Sequence, residues 1–486
     1  MPAPLVLGVD SSTQSTKAEL RRLEDGAVVA SAKAPHPATT PPVSEQDPEM
    51  WWQALSNAVS KLGDHRSDVV AMSIAGQQHG LVLLDDQQLP IRPAKLWNDT
   101  TSASQAERLV AEFGAATWAQ QTGSVPVASF TISKLAWVAE HEPQLFTRAT
   151  MVMLPHDYLT WRLTGEHVTD RGDASGTGWF DPVQNDYLRS LLDAAVGSTC
   201  EIALPRGADS FQPVGSLTTL AAGELGLPPG IVVGPGTGDN MAAALGLGLR
   251  SGDVALSLGT SGTVFAVSVT PTADSSGAVA GFASASGEYL PLVCTLNATK
   301  VTDSICTLLG VDVNTGAKLA LTAAREPGST VLIPYFDGER TPNLPEATGT
   351  LLGLTNETTR AQIALAAHDG VLCGLFSGRN ALELAGARVD GRLLLIGGGA
   401  KSPAFRQRCA DLLNEQVLVP ETDETVATGA AVQAAIITDA TDPADVAHRW
   451  NLGSGIDVAP SIDARERVDL FASHISQMMA QNPQTD

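Results

Sequence analysis

A chain of 486 residues exceeds what one hydrophobic core usually organises and suits two large domains. Its composition, 43% hydrophobic and 17% charged with 45 glycines, is that of a globular protein rich in tight turns and excludes a disordered or fibrous chain. A net charge of −23 repels polyanions, so nucleic acid and anionic membranes are excluded as bulk electrostatic partners, whereas a phosphate held locally by backbone amides and a cation is not.

The chain opens MPAPLVLGVDSSTQSTK, with no basic segment ahead of a long apolar run. This predicts neither a signal peptide nor a membrane span and points to the cytoplasm. Residues 5–9 form a short apolar run, Asp10 to Thr16 a polar turn and 17–20 a second strand. Residues 35–42, rich in Pro and Thr, read as a surface loop. The segment 74–80, IAGQQHG, ends a strand with Gln77, Gln78 and His79, and Trp97-Asn98-Asp99 follows the turn from Pro90 to Pro93. At 231–248, IVVGPGTGDNMAAALGLG runs from a buried strand through glycines to Asp239 and Asn240 at the start of a helix.

The opening arrangement recurs at 254–267, where Gly259-Thr260-Ser261-Gly262 separates two apolar arms, so a second domain with the same hairpin is expected. At 393–413 a strand again enters a glycine loop, Gly397-Gly398-Gly399-Ala400, before a helix. The alternation of strands and helices predicts an α/β chain with mixed sheets. The expected division is 1–248, 249–440 and trailing helices with a frayed end at 441–486. The five cysteines have no CxxC pairing, and the eight histidines besides His79 show no metal-ligand spacing, so a disulfide framework, a zinc site or an iron site is not expected.

Each chemical reading has a bland counterpart. Asp10, Thr13 and Gln14, within one turn of hydroxyls and backbone N–H groups, suit a phosphate with Mg2+, yet Ser, Thr and Asp favour turns anyway. Gly398, Gly399 and Ala400 leave room for a nucleotide, or serve backbone geometry alone. Asp239 is a helix N-cap or a catalytic carboxylate; an N-cap does not require the three preceding glycines at 234, 236 and 238. Gln78, His79, Trp97 and Asp99 at strand ends suit a polyhydroxylated ligand, although His79 is equally explained as a partly buried histidine with its own partners. No GxxxxGK[ST] motif and no G-x-G-x-x-G after a first strand is present, which disfavours Walker and Rossmann schemes.

These landmarks, from about residue 5 to about 436, resemble the FGGY carbohydrate kinases. SFTISKLAWVAEHEP at 129–143 is similar to the family's first signature, and GTLLGLTNETTRAQIALAAHDGV at 349–371 to its second, with His368 where an apolar residue is usual. The resemblance implies a two-domain, actin-like (ribonuclease H-like) ATPase fold with mixed sheets, flanking helices and an active-site cleft between domains. It also implies ATP and Mg2+, a sugar as the other small-molecule partner, and phosphoryl transfer with Asp239 as base. Gln78, His79 and Asn240 would then touch the sugar. Asp10, as the Mg2+ ligand, and Thr13 would face the phosphates, Gly259 and Thr260 would form the second phosphate loop, and Gly398, Gly399 and Ala400 would lie on the adenine side.

The segments SEQDPEMWW, IAGQQHGLVLLD, IRPAKLWNDT, HDYLTWRLTGE, LSLGTSG, GERTP and IGGGAKS are closest to the subgroup acting on D-xylulose. Two departures stand out: Gln78 replaces a methionine found in some relatives, and 294–305 lacks a tryptophan that some carry. A kinase for another ketose or polyol, such as ribulose or glycerol, is the alternative, followed by a non-catalytic sugar sensor. A homodimer is left open.

Overall fold

The computed structural model describes residues 3–422 and 424–481. The chain forms two compact units, one from 1–249, 269–290 and 424–453, the other from 250–268, 291–423 and 454–486. Neither is a continuous stretch.

In the first unit, β1 (Leu5–Ser11) pairs antiparallel with β2 (Ser15–Arg22), from Leu5 opposite Arg22 to Ser11 opposite Thr16, and β3 (Val28–Pro35) extends the hairpin. The polar turn is therefore only three residues, 12–14. β4 (Val69–Gly76) lies parallel to β1, and with β5 (Gly215–Ser216) and β6 (Val232–Val233) the order is β5-β6-β4-β1-β2-β3. The two-residue strand β7 (Thr237–Gly238) also pairs with β4, Thr237 opposite Ala75 and Gly238 opposite Gly76. Asp239 and Gln77 thus leave the sheet side by side, which sets the geometry of the candidate site.

Both faces of this sheet are covered, as the near-continuous burial of β1 and β4 requires. Trp51, Leu55, Tyr158 and Leu159, from the helices Pro48–Ser60 and Pro155–Thr164, pack with Leu7, Val9 and Ile74 on one side. Ala431, Val432, Ala435 and Ile436, from the helix Thr425–Asp439, pack with Val6 and Ala71 on the other. Each buried Val, Leu or Ile among them contributes roughly 1.5–3 kcal/mol, and each alanine methyl less. The sequence assigns this helix to the C-terminal domain; it lies in the first unit because its small residues allow contact that larger ones would forbid. A Cβ on Gly429 would stand 1.8 Å from the Ala242 carbonyl oxygen, so this helix and the one carrying Asp239 touch backbone to backbone.

In the second unit, β8 (Val254–Leu258) and β9 (Gly262–Ala266) form the recurring hairpin, flanked by β10 (Tyr289–Thr295). β11 (Leu393–Ile396) and β12 (Val417–Pro420) extend the sheet in parallel, and β13 (Gly455–Val458) closes its edge antiparallel to β12. The long helix Arg360–Leu384 starts in a capping box between Thr359 and Gln362 and packs with the helices Val313–Ala323 and Pro403–Leu413. The expectation of trailing helices after 440 needs correction. The helix Pro443–Arg449 is followed by β13 and then by the helix Arg465–Gln481. A four-residue edge strand is too short to announce itself by alternation. Residues 482–486 of the expected frayed end lie outside the described residues.

Candidate active site

Asp239 is the first residue of the helix Asp239–Gly246, and the N-cap is Gly238. The bland N-cap reading therefore does not apply. Asp239 Oδ1 accepts from the backbone N–H of Asn240 at 2.8 Å and from Asn240 Nδ2 at 2.9 Å; the same amide donates to Gln78 Oε1 at 2.7 Å. Burial, then the charges of Asp10 and Asp173, push the Asp239 carboxyl up to about 7. Burial likewise pushes Asp10 up to about 6, against the pull of the Ser12 hydroxyl that donates to it. Both carboxylates resist ionisation, chiefly because they are buried.

Around them, Thr13 Oγ1 donates to Gln77 Oε1 at 3.2 Å and accepts from Trp97 Nε1 at 2.8 Å; the Trp97 ring remains 45% exposed. His79 has φ of 64°, and its ring stacks on Phe130 at 5.1 Å with Phe282 tilted against it at 5.3 Å. Asp10, Thr13, Gln78, Asn240 and Asp239 are thus brought together. Two expected residues fall outside. Gln14 is exposed, and its contribution is a backbone oxygen that accepts from the His36 N–H at 2.8 Å. Asp99 is fully buried, with its carboxylate occupied by the Ser44 N–H, Lys95 and Thr101, so it shapes the Trp97 turn and has no face left for a ligand.

Sequence reasoning did not single out Asp170 and Asp173, nor His156 and Asp157, which form a buried cluster behind this surface. Asp173 is close enough to raise Asp239. The segment DRGDASG that holds two of them has no periodic or metal-ligand spacing, and its only sequence signal was an excess of acids in a small-residue stretch.

In the second unit a cavity of about 500 Å3 is lined by Leu258, Gly259, Thr260, Thr299, Gly398 and Gly399 among others. Its size lies within the range of small-molecule sites. Gly259 carries its carbonyl to the start of the helix Thr299–Leu308, where Thr299 N–H and Oγ1 donate to it at 3.0 and 2.9 Å. Gly398 faces open space, whereas a Cβ on Gly399 would stand 2.8 Å from both Leu258 Cβ and Thr299 Cγ2. Ala400 is buried and is not part of the lining. His368 and Phe405, with rings 4.7 Å apart, were not expected here and line the same cavity.

Among the described residues no three His, Cys, Asp or Glu side chains gather as a metal cage. The donors present nevertheless fit Mg2+, which takes hard oxygen ligands and is usually held by one or two carboxylates together with phosphate oxygens and water. Asp10 is a carboxylate of that kind, buried at the end of β1 beside the hydroxyl of Ser12. Among the described residues no helix is long and apolar enough to cross a membrane.

Profiles of the FGGY family of carbohydrate kinases match residues 5–246 for the N-terminal domain and 254–438 for the C-terminal domain. The chain is 48% identical to xylulose kinase of Streptomyces coelicolor over 486 residues, covering 98% of this chain and 96% of that protein. The crystal structure of xylulose kinase from Bifidobacterium adolescentis superposes with a TM-score of 0.89 at 39% identity, covering 98% of this chain and 100% of that one. Gluconate kinase from Lactobacillus acidophilus, at 22% identity, shares the fold alone, with a TM-score of 0.90 over 99% of each chain. The two-domain α/β architecture is the actin-like one that the sequence resemblance implies.

Proposed function

Because the chain belongs to the FGGY family of carbohydrate kinases, we propose that it transfers the γ-phosphoryl group of ATP to D-xylulose, giving D-xylulose 5-phosphate. The observation that carries the reading is the Asp239 carboxylate, raised to about 7 and held by Asn240 beside Gln78. A carboxyl near 7 is a far better base toward an alcohol at neutral pH than one at the ordinary value, because catalytic efficiency peaks when pKa and working pH agree. Relatives named xylulose kinase at 48% and 39% identity support the choice of sugar.

Gln78, His79 and Asn240 are assigned to the sugar's hydroxyls, with Trp97 as an exposed apolar wall. Asp239 orients the terminal hydroxyl and takes its proton as the oxygen attacks phosphorus in line, through a loose transition state that needs positioning more than covalent help. ATP is assigned to the cavity of the second unit, with Gly259 and Thr260 toward the phosphates and Gly398 toward the base. Asp10 would hold Mg2+, with Thr13 at the phosphate side; the ion, when bound, offsets phosphate charge and fixes the leaving group. The five cysteines, all free thiols, agree with a reducing cytoplasm.

Coupled ADP release measured over D-xylulose, D-ribulose, glycerol and gluconate tests the reading. D-xylulose should give the highest kcat/KM. A preference of more than about tenfold for one of the others, about 1.4 kcal/mol in transition-state binding, would overturn the choice of sugar and leave the kinase assignment standing.

A further inference from the structure

His156, the second residue of the helix Pro155–Thr164, is fully buried behind the strand ends that carry Gln77 to His79 and Asp239. Its Nδ1 lies 2.9 Å from Asp173 Oδ2, and its Nε2 lies 3.1 Å from Asp157 Oδ1 and 3.5 Å from Asp170 Oδ1. Nδ1 shares a hydrogen bond with Asp173 Oδ2, whereas Nε2 faces Asp157 and Asp170 without one, and the three surrounding carboxylates favour the protonated ring. Burial opposes that charge, but the three carboxylates outweigh it and hold the group up at about 9.

The ring occupies a slot left by two glycines. A Cβ on Gly236 would stand 2.6 Å from His156 Cδ2, and one on Gly76 would stand 3.0 Å from His156 Cβ. Gly76 ends β4 immediately before Gln77; Gly236, at φ of 79°, leads into Thr237, Gly238 and Asp239. Two of the three carboxylates around the ring reach the same two segments. Asp170 Oδ2 accepts from Thr237 Oγ1 at 2.7 Å, while Asp170 also caps the N–H groups of Gly172 and Asp173. Asp173 accepts the backbone N–H of His79, and Asp157 accepts that of Leu154 at 2.9 Å.

We propose that His156 is a positioning residue whose buried imidazolium ties Asp170 and Asp173, and through them Thr237 and the His79 backbone, so that Asp239 and the Gln77–His79 segment keep one geometry. The inference rests on the reading of Asp239 as the base. Removing the ring's charge leaves three buried carboxylates without a counterion, a situation relieved only by rotation or protonation. Either response loosens the hydroxyl of Thr237, two residues before Asp239, and the backbone N–H of His79. The second unit's cavity shares no residue with the cluster, so ATP binding should not feel the change.

The test uses the full chain with His156→Gln, His156→Lys, Thr237→Val and the Gln/Val double variant, each with its Tm and its kinetics for sugar and ATP. His156→Gln should lower kcat by at least about tenfold with the KM for ATP held within about twofold, the size expected when a positioned base loses its support. His156→Lys, which restores a positive charge, should recover part of the loss. Thr237→Val should lower kcat by a smaller factor, and the double variant should be no worse than His156→Gln, because both break one tether. Wild-type kcat in His156→Gln, no recovery with Lys, or multiplying losses in the double variant would overturn the proposal. If His156→Gln does not fold, Thr237→Val decides: lowered kcat at wild-type Tm supports the tether, and unchanged kcat sinks it. Asp239→Asn run in parallel separates the two readings, since turnover retained there sinks both, whereas its loss beside a wild-type His156→Gln sinks the tether alone.

Discussion

At Asp239 the carboxylate assigned to the sugar's proton also sets an electrostatic load on the fold. Its folded value of about 7 lies above the ordinary 3.8, so its contribution to stability is present below about pH 3.8 and is lost as pH rises through about 7. Asp239→Asn should therefore lower kcat by at least about 10² while raising Tm at pH 8, by roughly 1–2 °C per kcal/mol of relieved repulsion in a chain of this size. The Tm difference should vanish near pH 4. Turnover close to wild type in the Asn variant removes Asp239 from the role of base, and an unchanged Tm at pH 8 means the buried charge is already compensated. In the wild-type protein kcat/KM for the sugar should rise with pH along a limb centred near 7, because the free enzyme's base must be ionised to act. Asp239 was legible in the sequence because three glycines lead to it, and Gln78 because two amides end a strand. Asp99 was misread: it shares a tripeptide with Trp97, and only the folded chain shows Lys95, Thr101 and Ser44 closing over it. Asp170 and Asp173 were missed because their meaning lies in residues far along the chain, Thr237 and His79, that no local pattern couples to them.

The glycine loop after β11 shows how an element can be read correctly while its side-chain directions are not. The strand, the loop and the helix Pro403–Leu413 follow from an apolar run, three glycines and helical spacing, but the direction of each Cβ does not. Gly398 opens to the cavity and Gly399 turns its missing side chain into Leu258 and Thr299. Gly398→Val should accordingly raise the KM for ATP several-fold, about 1 kcal/mol or more, with little change in Tm or in the KM for sugar. Gly399→Val should instead destabilise the fold by roughly 1–3 kcal/mol through overpacking, and so lower Tm, since Leu258 sits at the end of the central strand β8. Kinetics and thermal melts on the two variants check this; equal KM effects with equal Tm would mean that the loop moves as one piece. The hairpins β1–β2 and β8–β9 were legible for the same reason that they are stable: two apolar arms with a short polar turn leave few other ways to bury both faces. Two-residue strands such as β7 were not, because their pairing comes from β4 and not from their own residues.

On the scale of the molecule, the sequence shows two similar openings and so two bodies, but a linear reading assigns contiguous stretches to each, whereas the chain returns to the first unit at 269–290 and 424–453 and to the second at 454. What directs the last return is a polar network that sequence cannot display. Asp369, in the middle of the helix Arg360–Leu384, is shared by Arg408 at 2.8 Å and by Arg467 from the final helix at 2.5 Å, and Arg467 also donates to the Thr330 carbonyl at 2.9 Å. Asp411 takes the Ser461 N–H at 2.7 Å just ahead of that helix. Residues 454–481 are thus a structural part of the second unit, with β13 pairing from Val458 opposite Val417 to Gly455 opposite Pro420. Arg467→Ala leaves Asp369 one of its two guanidinium partners and uncovers the Thr330 carbonyl, so it should destabilise by about 1–3 kcal/mol, less than the 3–5 expected when a buried ion loses its only partner. Ending the chain after Gly453 removes β13 and the network together and should give protein that is insoluble or cut within 291–422 by a trace of protease. Melting and limited proteolysis of the two variants decide the matter. A truncated chain that melts like wild type and resists cleavage would return 454–481 to the status of a trailing segment.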